Sequence, residues 1–311
     1  MAFFRIRRHR RGFNELEGNT RFMDRVEFMQ GSGLLLKRSV NYYVDGKDGD
    51  DTNNGLSMDR PKATIAAAIT LMNARINWSE SPWARGDNLF IAAGLYAENL
   101  TSLPYGCNVY GLGDAFDLNG ERGVTVKPAS GSPVDCGSVI NTRVQNVAFE
   151  SPDTSVIFQA DNFNRNVLEG CLLSGLPGAS PTTTRGFEVV KDMTGNILRG
   201  CIFQLARNGV YIVTDNANSK QASGNIIEDC YVRGADQKGI YFGQHTVPSL
   251  TQINHCVIGS GETTLALGLD DDSGMVNVSN TMFTATACDP AHAGGGHYNN
   301  CHLNGVLLTN S

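Results

Sequence analysis

Apolar and polar residues alternate over short runs for most of the chain, the pattern of strands with one buried face. Asn88-Leu89-Phe90-Ile91-Ala92, Cys107-Asn108-Val109-Tyr110-Gly111 and Val124-Thr125-Val126 are early examples. Downstream the alternation becomes a repeat. Its clearest copies are Asn166-Val167-Leu168-Glu169-Gly170-Cys171-Leu172-Leu173, Asn196-Ile197-Leu198-Arg199-Gly200-Cys201-Ile202-Phe203 and Asn225-Ile226-Ile227-Glu228-Asp229-Cys230-Tyr231-Val232. Weaker copies centre on Val147, Cys256, Thr281 and Cys301, so that successive spacings are 24, 30, 29, 26, 25 and 20 residues. A second, glycine-led strand follows in Gly186-Phe187-Glu188-Val189, Gly209-Val210-Tyr211-Ile212 and Gly239-Ile240-Tyr241-Phe242.

Periods of this length belong to solenoids, in which each turn buries its apolar residues only against the turns above and below. The fixed leucine ladder of leucine-rich repeats is absent. The drifting period fits stacked strands joined by loops of variable length, which predicts a parallel β-helix. At ~4.8 Å per rung, about nine rungs from Asp87 onward make a core roughly 40 Å long. The recurrent Asn is expected to form a ladder that satisfies turn backbone groups. Cys171, Cys201, Cys230 and Cys256 then stack as small buried thiols.

Upstream the period changes. Ile65, Ile69, Met72 and Ile76 share one helical face, and Arg60-Pro61 is the expected helix start. Such a helix would plug the open end of the core and blunt its first strand edge. The chain is accordingly divided into an arm, residues 1–40, an entry strand, turn and capping helix, 41–86, and the β-helix, 87–311.

Composition agrees: glycine is abundant at 35 residues and charged residues are only 18% of the chain. Charge is unevenly spread. Residues 1–40 hold nine Lys/Arg against four Asp/Glu, while the remaining residues carry a local net charge of −11. A basic arm on an acidic body should seek an acidic protein surface, and the body opposes nucleic acid. Arg5, Arg7, Arg8, Arg10 and Arg11 are the expected partner-binding residues. No apolar stretch approaches the ~18 residues of a membrane span, and no apolar run follows the basic start as in a signal peptide. The eight cysteines are therefore expected as thiols in a reducing cytoplasm.

The Tyr42–Ser57 segment, the Pro-led helix after it and Asp87-Asn88-Leu89-Phe90-Ile91-Ala92-Ala93-Gly94-Leu95-Tyr96 resemble the entry to pectate-lyase-like right-handed parallel β-helix proteins. Many of those are polysaccharide lyases, hydrolases or bacteriophage virion proteins such as tailspikes. The resemblance implies an all-β, single-stranded right-handed parallel β-helix with an N-terminal capping helix and an extended N-terminal arm. The Arg/Lys base and clustered calcium carboxylates of the lyases have no counterpart here, so no catalytic residue carries over.

Candidate chemistry is sparse. Asp270-Asp271-Asp272 is the strongest acidic cluster, with Asp215 or His245 as partners on neighbouring turns. A glycosidase needs two converging carboxyls, whereas three adjacent Asp on a strand point in different directions. Cys288, His292, His297 and Cys301, spaced C-x3-H-x4-H-x3-C, have the ligand types of a zinc site. The Gly294–Gly296 run between them and the repeat role of Cys301 argue against one. An EF-hand count from Asp48 through Asp50 to Asp59 meets Asn53 where the sharp-turn glycine belongs. Tyr96, Tyr105, Tyr110, Tyr211, Tyr231 and Tyr241 are candidates to line the rod, and Tyr211 and Tyr241 share an outward phase expected to mark a subunit contact.

No cofactor is expected. The combined expectation is a non-enzymatic bacteriophage structural protein, a capsid decoration or cement protein assembled in the host cytoplasm and residing in the virion. Other virion proteins of the capsid shell or tail, and further copies of the chain in a trimer, are the expected partners. The sequence ending soon after its last repeat favours decoration over a tailspike. A tailspike-type polysaccharide depolymerase or a glycan-binding adhesin is the alternative.

Overall fold

A computed structural model describes residues 6–8, 14–16, 39–75, 86–113, 123–175, 185–212, 220–235, 237–242, 246–247, 250–260, 265–271, 276–289 and 297–308. The chain separates into two compact units, residues 1–38 and 39–311. In the first, Ile6–Arg8 pairs antiparallel with Asn14–Leu16, so the arm contains a short two-stranded ribbon.

The second unit is a parallel β-helix. Three sheets run along it, the first and second of ten strands and the third of eight. The first sheet runs from Asn41–Val44 to His297–Asn299; nine of its strands lie beyond Asp87, as the repeat count required. Its inward row stacks Leu89, Val109, Val144, Leu168, Leu198, Ile227, Ile253 and Val278 in register, all buried. The second sheet turns Val126, Phe149, Leu173, Phe203, Val232, Ile258 and Phe283 inward. The third adds Phe158, Phe187, Val210 and Ile240.

The corners explain the repeat motif. One residue between the first and second sheets takes positive φ on successive rungs: Asn146, Gly170, Gly200, Asp229, His255, Asn280 and Asn300. Glycine adopts this region freely, and Asn, Asp and His adopt it more readily than other side chains. The next residue turns inward, and there Cys171, Cys201, Cys230, Cys256 and Cys301 are buried thiols. A second left-handed corner, at Asn141, Arg165, Gly195, Gly224 and Leu250, precedes the asparagine ladder. The Oδ1 of Asn166, Asn196 and Asn225 accepts from the backbone N–H of Thr142 (2.8 Å), Asn166 (2.8 Å) and Asn196 (3.1 Å). Their Nδ2 groups donate to the carbonyls of Val139, Phe163 and Met193. Thr142 and Thr251 continue the ladder at either end, each giving its hydroxyl to a carbonyl.

The glycines that open the third-sheet strands are required by space. A Cβ on Gly209 would lie 2.5 Å from Val232 Cγ1 and 2.7 Å from the Gly239 carbonyl.

The entry segment differs from expectation in two respects. The helix spans Ile65–Ala74 with Thr64 as N-cap, several residues after Pro61. Residues 61–62 are instead drawn against the first strand: Lys62 N–H donates to the Tyr43 carbonyl, and Asp45 N–H to that of Lys62. This segment, with Gly55 accepting from Tyr43 N–H, covers the strand edge that the helix was expected to blunt. The helix supplies the plug, burying Ile65, Ala68, Ile69 and Met72 in the cluster that contains Tyr42 and Val44. Ile76 lies outside the described residues.

Candidate functional site

The third sheet brings charged and aromatic residues of different rungs into register. Register aligns Asp135, Gln159, Glu188, Tyr211, Tyr241, Asp270 and Asp289 in one row. A parallel sheet repeats every residue position at the rung spacing, so side chains distant in sequence become neighbours.

Tyr211 and Tyr241 pack with ring centroids 4.7 Å apart and planes tilted by 33°. The Arg185 guanidinium lies 4.1 Å from the Tyr211 ring centre, and Lys238 Nζ 3.5 Å from that of Tyr241. Both rings therefore hold cation–π partners from their own chain. Arg185 also forms an ion pair with Glu188, whose side chain is 6% exposed. Burial pushes the Glu188 carboxyl above its usual range, Arg185 opposes the shift, and the charge of Asp135 reinforces it. Glu188 is thus a buried carboxyl paired with its arginine, in the row of Tyr211 and Tyr241.

The expected acidic cluster is divided by register. Asp270 falls in the row of Tyr241 and Asp271 in the row of Phe242; Asp272, Asp215 and His245 lie outside the described residues. The cysteine–histidine set is also spread. Cys288 belongs to a third-sheet strand and His297 to a first-sheet strand, while Cys301 is buried at the corner that follows; His292 lies outside the described residues. Among the described residues no group of three or more His, Cys, Asp or Glu is placed to hold a metal ion. No described helix is long and apolar enough to cross a membrane.

The acidic turn at 45–54 hydrogen-bonds its own backbone. Asp45 Oδ1 accepts from the N–H groups of Lys47 and Asp48, and Asp50 Oδ1 from Thr52. Asp51 accepts from the N–H groups of Ala63 and Thr64, and Glu98 from those of Ile65 and Ala66, so these carboxylates hold the helix entry. Burial raises the Glu98 pKa against those hydrogen bonds.

The tyrosines do not line one face. Tyr96 is buried, with its hydroxyl donating to the Ala92 carbonyl and accepting from Gly46 N–H; burial pushes its pKa up to about 12. Tyr110 is on the first sheet, exposed Tyr231 on the second, and Tyr211 and Tyr241 on the third. Of the arm residues, Arg7 and Arg8 lie in the Ile6–Arg8 strand, and Arg5, Arg10 and Arg11 lie outside the described residues. Sequence reading missed the partners of Glu188. The signal was Arg185, the residue before a glycine-led strand, whose side chain pairs with Glu188 on its own strand and covers Tyr211 on the next rung.

No family model and no curated protein matches this sequence. Solved structures do. Pectin methylesterase PemA from Erwinia chrysanthemi matches with a TM-score of 0.54 at 11% identity, over 87% of this chain and 91% of that one. The pectin methylesterase from Aspergillus niger matches with a TM-score of 0.54 at 14% identity, over 89% and 88%. A pectin methylesterase mutant in complex with a hexasaccharide matches at 0.51 and 11% identity, over 87% and 91%. At these identities the likeness is one of fold: a right-handed parallel β-helix shared with carbohydrate-active proteins.

Proposed function

We propose that this chain is a non-enzymatic bacteriophage virion protein, a rigid β-helix held on the particle by its basic N-terminal arm, as a capsid decoration or cement protein is. The observation that carries this reading is the division of charge along the chain. The arm holds nine of the 25 basic residues, while the rest carries a net charge of −11, and the arm falls in a compact unit separate from the rod. The rod's own helix plugs the N-terminal end of its core, and the arm is taken to attach the rod through Arg–carboxylate pairs. The mechanism is mechanical: rods, assembled as a homotrimer, bridge or cap shell subunits.

Deletion of residues 2–12 tests it. The expected result is a folded rod by circular dichroism that is lost from purified particles; full occupancy of the truncated protein would overturn the reading. Copy number per particle separates shell, with hundreds, from tail, with about a dozen.

A second reading, a glycan-contacting adhesin or depolymerase, is favoured by the row of Glu188, Tyr211, Tyr241 and Asp270, and by a structural neighbour described as bound to a hexasaccharide. A depolymerase predicts release of reducing ends from bacterial capsule polysaccharide, abolished by Asp270→Asn. An adhesin predicts binding on a glycan array without such release.

A further inference from the structure

The first three rungs of the first sheet carry, on their outer face, two rows of side chains unlike the rest of the rod. Register places Tyr43, Phe90 and Tyr110 in one row and Asn41, Asn88 and Asn108 in the other. The rows are two residues apart on every strand, hence roughly 7 Å from each other.

The rings stack in sequence, with centroids 5.6 and 5.4 Å apart and planes inclined by 23° and 19°. All three are half-buried. The amides interlock beside them: Asn88 Nδ2 donates to Asn41 Oδ1 and Asn108 Nδ2 to Asn88 Oδ1, both at 2.9 Å. This fixes the orientation of the row and leaves specific groups over. Asn41 Nδ2, Asn108 Oδ1 and the hydroxyls of Tyr43 and Tyr110 have no hydrogen-bond partner among the described residues.

Among the described residues, the other flanks lack this combination. On the third sheet the tyrosine faces are covered by Arg185 and Lys238. On the second, the outward row includes Leu95, Tyr231 and Met282, which are apolar or aromatic and exposed but have no amides beside them in the row. Within the six-residue patch no side chain is charged. Charge begins one rung later at Arg143, which is occupied by Glu169 at 2.6 Å.

We propose that this aromatic–amide ladder is a binding site for a neutral oligosaccharide. The outward edges of the stacked rings form an apolar strip across which pyranose rings can lie, and each ring-to-ring step is comparable in length to one sugar residue. Fixed amides and open phenol hydroxyls offer donors and acceptors to sugar hydroxyls, which is how concave and flat polar-ligand sites obtain orientation. The absence of a free cation in the patch, on a body of net charge −11, disfavours uronates and other acidic sugars. The inference rests on the glycan-contacting reading above and assigns it to a different face.

The test uses the full chain, titrated calorimetrically with neutral hexasaccharides of glucose, mannose and N-acetylglucosamine, and with a galacturonate hexamer. At least one neutral hexasaccharide should bind. Phe90→Ala should weaken that binding roughly ten-fold or more, the scale expected for losing one stacking ring. Tyr110→Phe, which removes only a hydroxyl and leaves the stack, should weaken it by a smaller factor, and Met282→Ala, on the exposed face of the second sheet, should leave it unchanged. Thermal melts establish that each variant is folded. Binding that survives Phe90→Ala but is lost in Tyr241→Ala would overturn the inference while sparing the glycan reading. Preference for the galacturonate would do the same. If no hexasaccharide binds, both fail; if Phe90→Ala also changes the sedimentation coefficient, the face is a protein interface.

Discussion

Asn196→Ala tests whether the buried asparagine ladder stabilises the rod. Asn196 is fully buried, and its side chain accepts from Asn166 N–H at 2.8 Å and donates to the Phe163 carbonyl at 2.7 Å. Alanine removes both contacts, together with the Nδ2 donation to Asn225 Oδ1 at 2.9 Å, and leaves two polar backbone groups in a buried corner. Each such orphan costs about 1–3 kcal/mol, so the expected destabilisation is roughly 2–6 kcal/mol. Thr142 and Thr251 occupy the same ladder position and satisfy one carbonyl each, so Asn196→Thr should cost clearly less. Solenoids can unfold in segments, which makes a single global unfolding energy ambiguous. Amide hydrogen exchange supplies the local readout: Asn166 N–H should lose protection in Asn196→Ala, while amides several rungs away change little. A destabilisation below about 1 kcal/mol with Asn166 protection intact would refute the argument.

Gly111→Ala should abolish folding or lower the melting temperature sharply, because its Cβ would sit 1.9 Å from the Asn146 carbonyl oxygen; Gly137→Ala, with nothing within 4 Å, is the neutral control. Burial holds the folded-state pKa of Glu188 above its ordinary 4.5, so the folded chain binds this proton more tightly than the unfolded chain. Its contribution therefore favours the fold at low pH and is lost as pH rises from about 4.5 through the raised value. Glu188→Gln should flatten that part of the urea-midpoint profile, and an unchanged profile would show that Arg185 cancels the burial effect. The seven described thiols should resist Ellman's reagent until the chain unfolds, since all are buried; burial pushes Cys136 up to about 12, and hydrogen bonding along the ladder together with burial raises Cys171. Rapid labelling of more than one thiol in the folded protein would contradict this.

The repeat was legible because its determinants are local. Positive φ at the corners selects Gly, Asn, Asp or His, and the inward phase of each strand selects aliphatic side chains, so both are visible in one copy and confirmed by the next. The site was less legible. Arg185 and Tyr211 are 26 positions apart in the chain, and only the rung register sets the guanidinium over the ring. Tyr110 and Tyr241 are both candidates to line the rod, yet they lie on different sheets. The ligand types of Cys288, His297 and Cys301 are readable in the sequence, but only the fold shows that a corner turns Cys301 into the core while Cys288 and His297 belong to separate sheets.

The sequence by itself determined that the chain stacks: alternation, corner residues and the Asn and Cys positions recur on every turn, and each works through its nearest neighbours. The length of the rod and the burial of its thiols follow from the same local rules. Only the tertiary structure decided which residues meet on a surface, because turns of 20 to 30 residues put loops of different length between the stacked strands, so the sequence separation of neighbouring side chains varies from rung to rung. It also decided that residues 55–62, and not the helix, close the first strand edge. Backbone hydrogen bonds across 47 or more positions align Asn41 with Asn88 and Tyr43 with Phe90, and no local pattern encodes a separation of that kind.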